Sequence, residues 1–528
     1  MIRLKMTCIT TVMVLACAAP GLMAETPRGT PGFKHCGLYL HACWLYNYPL
    51  ATRTWNRRDY RHMFRLLEAL GYDRVMLWPM MEAIPRPLSA EDAQALRDYS
   101  KIVEDARRAG LECWLAQSVC TTDRKIAKKP WPNRNFYAVR QDVRLDRPAQ
   151  AGPWLDHEAA MLAILNNADA YVTIDSDPGG YPGAKAEDFV KLLKHDRRTI
   201  DRVGVRPKQQ KVMPWVWGGW GMQGWEEPVA ARVARLAREL EMYRAAMADG
   251  WEVMPGRNGG EYGCGRFNMG LVERAGLMPR ATLMLYDSIE NEPSPPATKL
   301  HFDEIRYALR QELQYAAVAR GCFGNCQTAI LELPNLYFFV RSARDPRYLE
   351  KPDGAVLADL AEFLGGPPEL LVPAWSCLRL GLAQLPADLP AKLRRAELTA
   401  EAAQYIPGGP RLYLRILAAE VDSHRRLLQA CHGPAESEAE AARRTADGVK
   451  AVVDWWKLHG YTLDRDEKSF AWEYVWSGDS GTLFHWMRGN RQWPDVARLA
   501  AQRIAQEGTL LANVAQARVD QAMGLSAR

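Results

Sequence analysis

Tyr171-Val-Thr-Ile-Asp-Ser-Asp-Pro-Gly-Gly180 has the pattern of a short buried strand that runs into two carboxylates. Side chains alternate faces along a strand, so Asp175 and Asp177 are expected on the same face. Pro178-Gly179-Gly180 does not continue a central strand, so the strand should stop there. Two acids at the C-terminal end of a strand, ahead of a glycine turn, occupy the place where a parallel α/β barrel carries its reactive groups. A pair of turn-capping aspartates, or an acidic cation site, would have the same local pattern.

Working outward, strand-like and helix-like segments alternate on both sides of this stretch. Strand patterns cover Gly37–Trp44, Arg74–Trp78, Leu111–Gln117, Tyr171–Asp177, Lys211–Trp217, Trp251–Met254, Ala281–Tyr286 and Gln327–Leu331. Helical patterns lie between them, among them Asn56–Leu70 closed by Gly71 and Pro228–Ala248 closed by Gly250. Such alternation implies a parallel sheet, and this strand count is that of a closed (β/α)8 TIM-type barrel, expected over residues 33–365. An open doubly wound sheet is the competing arrangement. It would want a GxGxxG-like turn after the first strand, where Leu45 to Pro49 is apolar and aromatic instead. Gly365-Gly-Pro-Pro368 punctuates the end of the pattern. Beyond it, helical stretches near Pro390–Tyr405, Pro410–Cys431, Ser437–Leu458 and Pro494–Ala517 predict a C-terminal α-helical domain over 369–528.

Composition narrows the partners. The chain has 528 residues, 48% hydrophobic and 25% charged, which is ordinary for a globular protein. Its formal charge of +6 is small, and the sequence lacks a long Lys/Arg block, so nucleic acid is not an expected partner. Residues 1–24 read as an export signal: Arg3 and Lys5, an apolar run from Ile9 to Ala16, and a small residue at Ala24. The run is too short for a membrane span. Val14-Leu15-Ala16-Cys17 also resembles a bacterial lipobox, which would leave a lipid anchor on Cys17. Either way the expected location is outside the cytoplasm, periplasmic or extracellular. The cysteines form no dense disulfide framework, and Cys322-Phe-Gly-Asn-Cys326 has no nearby histidines to complete a zinc site. No metal and no cofactor is expected.

In a barrel the strand ends supply the chemistry. Those ends offer His41 and Trp44, Trp78 with the nearby Glu82, the acids Asp175 and Asp177, then Trp215 and Trp217. They continue with Arg257, Asn258 and Glu261, then Asp287 and Glu290, and Glu332. The set is rich in carboxylate and tryptophan, with 18 tryptophans in the chain, and poor in histidine. Glycosidic bond cleavage needs that combination: one carboxylic acid protonates the leaving oxygen, and a second carboxylate stabilises or attacks the oxocarbenium-like centre. Indole faces cover the apolar faces of sugar rings. Asp177 is expected as the acid, with Asp175, Asp287 or Glu290 as the second carboxylate. His41, Trp44, Trp78, Trp215, Trp217, Arg257, Asn258, Glu261 and Glu332 are expected to hold the carbohydrate substrate.

With these residues in place, the chain resembles a secreted (β/α)8 glycoside hydrolase with acids at the ends of strands four and seven. Asp175-Ser-Asp177 is also similar to the strand-four acids of hexosaminidase and chitinase-like families. That resemblance implies a carboxylate that assists an N-acetyl group of the substrate instead of attacking the sugar. The chain departs from the chitinase motif, which has Glu where Gly179 stands, and it lacks the hexosaminidase Asp-Glu pair. A metal-dependent hydrolase would want more strand-end histidines than His41 alone. A nucleotide-sugar transferase would not be exported to where its donor is absent. A non-catalytic carbohydrate-binding barrel would use the same tryptophans without needing paired acids.

Overall fold

The structure is a computed structural model that describes residues 31–41, 48–118, 144–175, 184–221, 228–247, 251–257, 265–289, 300–377 and 386–432. The expected export signal with Cys17, the site candidates Trp44, Asp177, Asn258, Glu261 and Glu290, and the helices expected beyond residue 432 lie outside the described residues.

Eight parallel strands close into a barrel in sequence order. They are β1 (Cys36–Leu40), β2 (Arg74–Leu77), β3 (Glu112–Ser118), β4 (Ala170–Ile174), β5 (Lys211–Val216), β6 (Met254–Arg257), β7 (Thr282–Leu285) and β8 (Gly321–Cys326). The ring closes between β1 and β8, in the register Cys36 opposite Cys322 through Leu40 opposite Cys326. The helices around it are α1 (Arg57–Leu70), α2 (Ala90–Arg108), α3 (Pro148–Ile164), α4 (Ala186–Val203), α5 (Val229–Ala246), α6 (Gly265–Arg274), the one-turn α7 (Tyr286–Ile289), α8 (Phe302–Glu312) and α9 (Leu333–Arg344). Local chemistry sets their ends. Asn56 opens α1 with a capping box to Asp59, and Gly71 closes it with φ 108°.

Strand alternation sorts the core into two layers. Leu38, Leu40, Val75, Leu77, Leu115, Val212, Val216, Leu283 and Leu285 pack outward under the helices. Tyr39, Met76, Trp114, Met213, Trp215, Met284 and Phe323 alternate with them and are buried inside the ring. Ring contacts confirm that direction. Tyr39 on β1 meets Trp215 on β5 edge-on at 5.4 Å, and these strands stand on opposite sides of the barrel. Trp114 and Phe323 meet at 4.8 Å from β3 and β8.

The N-terminal end of the barrel is plugged. Arg74 lies 3.2 Å from Glu112, and Lys211 lies 3.7 Å from the same carboxylate. Both cations sit over the Trp114 ring, at 5.2 and 5.3 Å from its centroid. The charged groups thus close this end of the bore, and a site inside the ring would open at the opposite, C-terminal end.

Strand eight lies earlier than Gln327–Leu331, the stretch whose apolar run reads as the strand. The reason is close approach, which favours glycine over the branched residues typical of strands. A Cβ on Gly324 would stand 2.3 Å from Ile289, and one on Gly321 would stand 2.6 Å from the His35 carbonyl oxygen. Residues 327–331 form the turn into α9 instead.

Helices continue past the barrel, with α10 (Asp353–Phe363), α11 (Pro368–Ser376), α12 (Leu389–Arg395), α13 (Glu401–Gln404) and α14 (Pro410–His432). Trp375 on α11 donates to the Tyr413 hydroxyl on α14 at 2.8 Å. Arg65 of α1 lies over the Tyr405 ring just past α13, and one apolar cluster runs from Phe33 in the barrel to Val421 in α14. Cys36, Cys113, Cys322, Cys326 and Cys377 are buried free thiols. Among the described residues, no helix is long and apolar enough to cross a membrane.

Candidate active site

Aromatic rings crowd the C-terminal end of the barrel. Trp215 and Trp217 leave β5 on the same face and lie nearly parallel, 6.1 Å apart with 11° between their planes. Tyr286, at the end of β7, packs on Trp217 at 4.8 Å and on Trp215 at 6.2 Å. On the other side His41 follows Tyr39 out of β1, 5.0 Å from it, and meets the Trp78 ring at 5.5 Å. Trp78 Nε1 donates to Glu82 Oε1 at 2.5 Å. Trp215 with Tyr39 thus makes a floor, and Trp217, Tyr286, His41 and Trp78 stand around it. Burial pushes the His41 pKa down to about 3, so its imidazole is neutral at ordinary pH and acts through hydrogen bonding. Trp215, Trp217, Trp78 and His41, all read from strand ends, are brought together here.

Asp175 is placed differently from the expected acid. β4 stops at Ile174, so alternation does not carry on to residue 177. Asp175 shares the parity of Thr173, whose hydroxyl bonds Asp196 on α4, on the helix side of the sheet. Its side chain is fully buried, and each oxygen accepts a backbone N–H at 2.9 Å, from Trp217 and from Gly219. Glu239 of α5 lies against it and accepts from Trp220 N at 2.7 Å. Desolvation, with the neighbouring Asp175 charge, pushes the Glu239 pKa well up, so Glu239 holds the proton and Asp175 the charge. Asp175 is therefore an anchor for the turn that carries Trp217, and it does not face the barrel interior.

Arg257 also corrects the sequence reading. It is the last residue of β6, on the parity of Val253, which packs outward. Its guanidinium lies 3.2 Å from Glu312 on α8 and stacks over Tyr307. It ties β6 to a surrounding helix and does not reach the mouth. Glu332 is buried at the start of α9 and accepts from Asn335, which in turn accepts from His301 N at 2.9 Å. It knits the β8–α9 turn to the segment before α8. Asp287 lies on α7, directly after Tyr286 and so beside the mouth in sequence.

Two residues of the mouth escaped the strand-end reading. Tyr39 sits two positions before His41, and the same alternation that selects His41 would have selected it. Asn325 shares the Phe323 face of β8, but only once that strand is placed correctly. Glu82, read from the sequence beside Trp78, lies in a short turn (Met81–Ala83) after β2.

A second buried acid pair lies on the helix side, below the same end. Asp196 of α4 accepts from Thr173 Oγ1 at 3.0 Å and from Gln117 Nε2 at 3.1 Å. Glu158 of α3 lies within hydrogen-bonding reach of it. Burial pushes Asp196 up to about 7 and Glu158 well up, with the neighbouring Asp196 adding to the shift on Glu158. Among the described residues, no group of three or more His, Cys, Asp or Glu is arranged to hold a metal ion.

No protein family's sequence profile matches the chain, and no curated protein matches it by sequence. Among solved structures, it is similar to a variant of the O-GlcNAc hydrolase of Thermobaculum terrenum, at 12% identity over 90% of this chain and 97% of that one, with a TM-score of 0.40. It is similar to a GH138 enzyme targeting pectin rhamnogalacturonan II, at 10% identity over 90% and 68% of the two chains, with a TM-score of 0.45. A mutant Streptomyces plicatus β-hexosaminidase in complex with its product GlcNAc is similar at 14% identity over 63% and 68%, with a TM-score of 0.40.

Proposed function

We propose that this chain is a glycoside hydrolase that cleaves an extracellular oligo- or polysaccharide by carboxylate acid–base catalysis. The observation that carries the reading is the ring of Trp217, Tyr286, Trp78 and neutral His41 at the C-terminal end of the barrel. Flat apolar faces beside hydrogen-bonding edges suit a pyranose, which has an apolar face and a rim of hydroxyls. Asp177 follows the anchored Asp175 by two positions in the sequence, and we assign it the general-acid role. Asp287, one residue past Tyr286, or Glu290 supplies the second carboxylate. Export through residues 1–24, with or without a lipid on Cys17, would bring the enzyme to a polymeric substrate.

The test is release of aryl alcohol from a panel of aryl glycosides by the purified chain, with Asp177→Asn alongside. The reading expects turnover of at least one glycoside and a rate loss on the order of 10²–10⁴ in the variant. Sugar binding without turnover of any glycoside would instead identify a non-catalytic carbohydrate-binding barrel.

A further inference from the structure

Every strand of the ring is entered at the plugged end, so the loops that lead into the strands form one face, the base of the barrel. Two of the four large apolar side chains exposed among the described residues stand there: Val205, 54% exposed, between α4 and β5, and Val318, 50% exposed, between α8 and β8. Each has cations close by in the same loop, Arg206 and Lys208 in the first and Arg320 in the second. β5 and β8 stand three strands apart in the closed ring. One small ligand does not span both valine tips, whereas a flat surface laid across the base meets both.

The base also carries surplus positive charge. Its acids mostly hold a cation already: Asp73 has Arg344 at 3.0 Å, Asp169 has Arg206 at 2.6 Å, and Glu252 has Lys211 at 3.5 Å. Lys34 before β1, Arg202 and Lys208 around the end of α4, Arg274 at the end of α6, and Arg320 before β8 are exposed and form no ion pair among the described residues. Glu68 near the end of α1 and Glu273 on α6 are the acids that stand against them without a cation partner, so the face is net positive. The chain also enters the fold here. Phe33 N donates to the Ala343 carbonyl at 2.8 Å, at the end of α9, and Arg344 donates to the Lys34 carbonyl at 2.7 Å. Residues 18–30 join this entry to Cys17, the residue that the lipobox-like Val14-Leu15-Ala16-Cys17 would lipidate.

We propose that the base of the barrel is a docking surface for an anionic phospholipid bilayer. Val205 and Val318 enter the boundary between headgroups and acyl chains, while Lys34, Lys208 and Arg320 lie level with the lipid phosphates. A nucleic acid or an acidic polysaccharide would use the cations and leave both valine tips in water; a bilayer uses both. A lipid on Cys17 would hold the chain from this same side, so tether and face act on one membrane. With the base on the bilayer, the mouth at the C-terminal end faces away from it, toward polymers outside. The surface stands apart from the sugar chemistry, and its test needs no turnover.

The experiment measures co-sedimentation of the chain from Glu25 onward, which keeps every described residue and lacks Cys17, with vesicles of phosphatidylcholine alone or mixed in equal parts with phosphatidylglycerol. The expected result is binding to the mixed vesicles at low salt, about tenfold or more above that to phosphatidylcholine alone, and lost as salt screens the charges. Lys208→Glu with Arg320→Glu should weaken it by about tenfold or more, and Val205→Ser with Val318→Ser should weaken it several-fold. If the charge-reversed pair fails to fold, Lys34→Glu tests the same face with the same expected direction. Arg394→Glu with Arg395→Glu makes the same change of net charge on α12 and should leave binding unchanged. No binding to the mixed vesicles, equal binding to both kinds, an equal loss in the α12 variant, or binding indifferent to the valines would overturn the proposal.

Discussion

Asp175 accepts two backbone N–H groups with the two oxygens of one buried carboxylate. An amide in its place has one acceptor for two donors and sets its own NH2 against an N–H. Asp175→Asn should therefore lose about 1–3 kcal/mol of stability, read from the midpoint of urea unfolding. An unchanged midpoint would show that the turn after β5 does not depend on this anchor. The sequence made the acid visible but not its direction. Asp175 and Asp177 stand two positions apart, and the shared-face argument holds only while the strand lasts; β4 ends at Ile174. Arg257 was misread for a related reason. Its place at a strand end was legible, but its outward parity depends on the register of β6, which a four-residue strand with Pro255 and Gly256 does not display.

At the level of elements, the turn from β5 to α5 does the most to place the mouth. Gly219 and Gly221 take φ of 85° and 86° there. A Cβ on Gly221 would stand 2.5 Å from the Ala184 carbonyl oxygen, at the approach to α4. Gly221→Ala should cost on the order of 2 kcal/mol from the left-handed backbone alone, with the steric contact adding to it. Thermal unfolding of the variant checks this, and a melting temperature equal to that of the parent chain would contradict it. The strand–helix alternation was readable because branched and aromatic strands sit between amphipathic helices with glycine stops such as Gly71. β8 was not, because close neighbours on both of its faces select glycine where strand propensity expects branched side chains.

For the whole molecule, closure of the ring and the charged plug at its N-terminal end leave one end for chemistry. The described helices after the barrel share its apolar cluster, so they brace the ring. The central claim is that a sugar binds on the aromatic floor made by Tyr39 and Trp215, against Trp217 and Tyr286. Its most direct test is a crystal structure of the chain soaked with the sugar released from whichever aryl glycoside it turns over. The account predicts that ring stacked on Trp217 or Tyr286 at the C-terminal end of the barrel, with His41 and Trp78 on its other side. Sugar bound on the outer helices, or on the helical segment after α9, with the barrel mouth empty at saturating concentration, would contradict it.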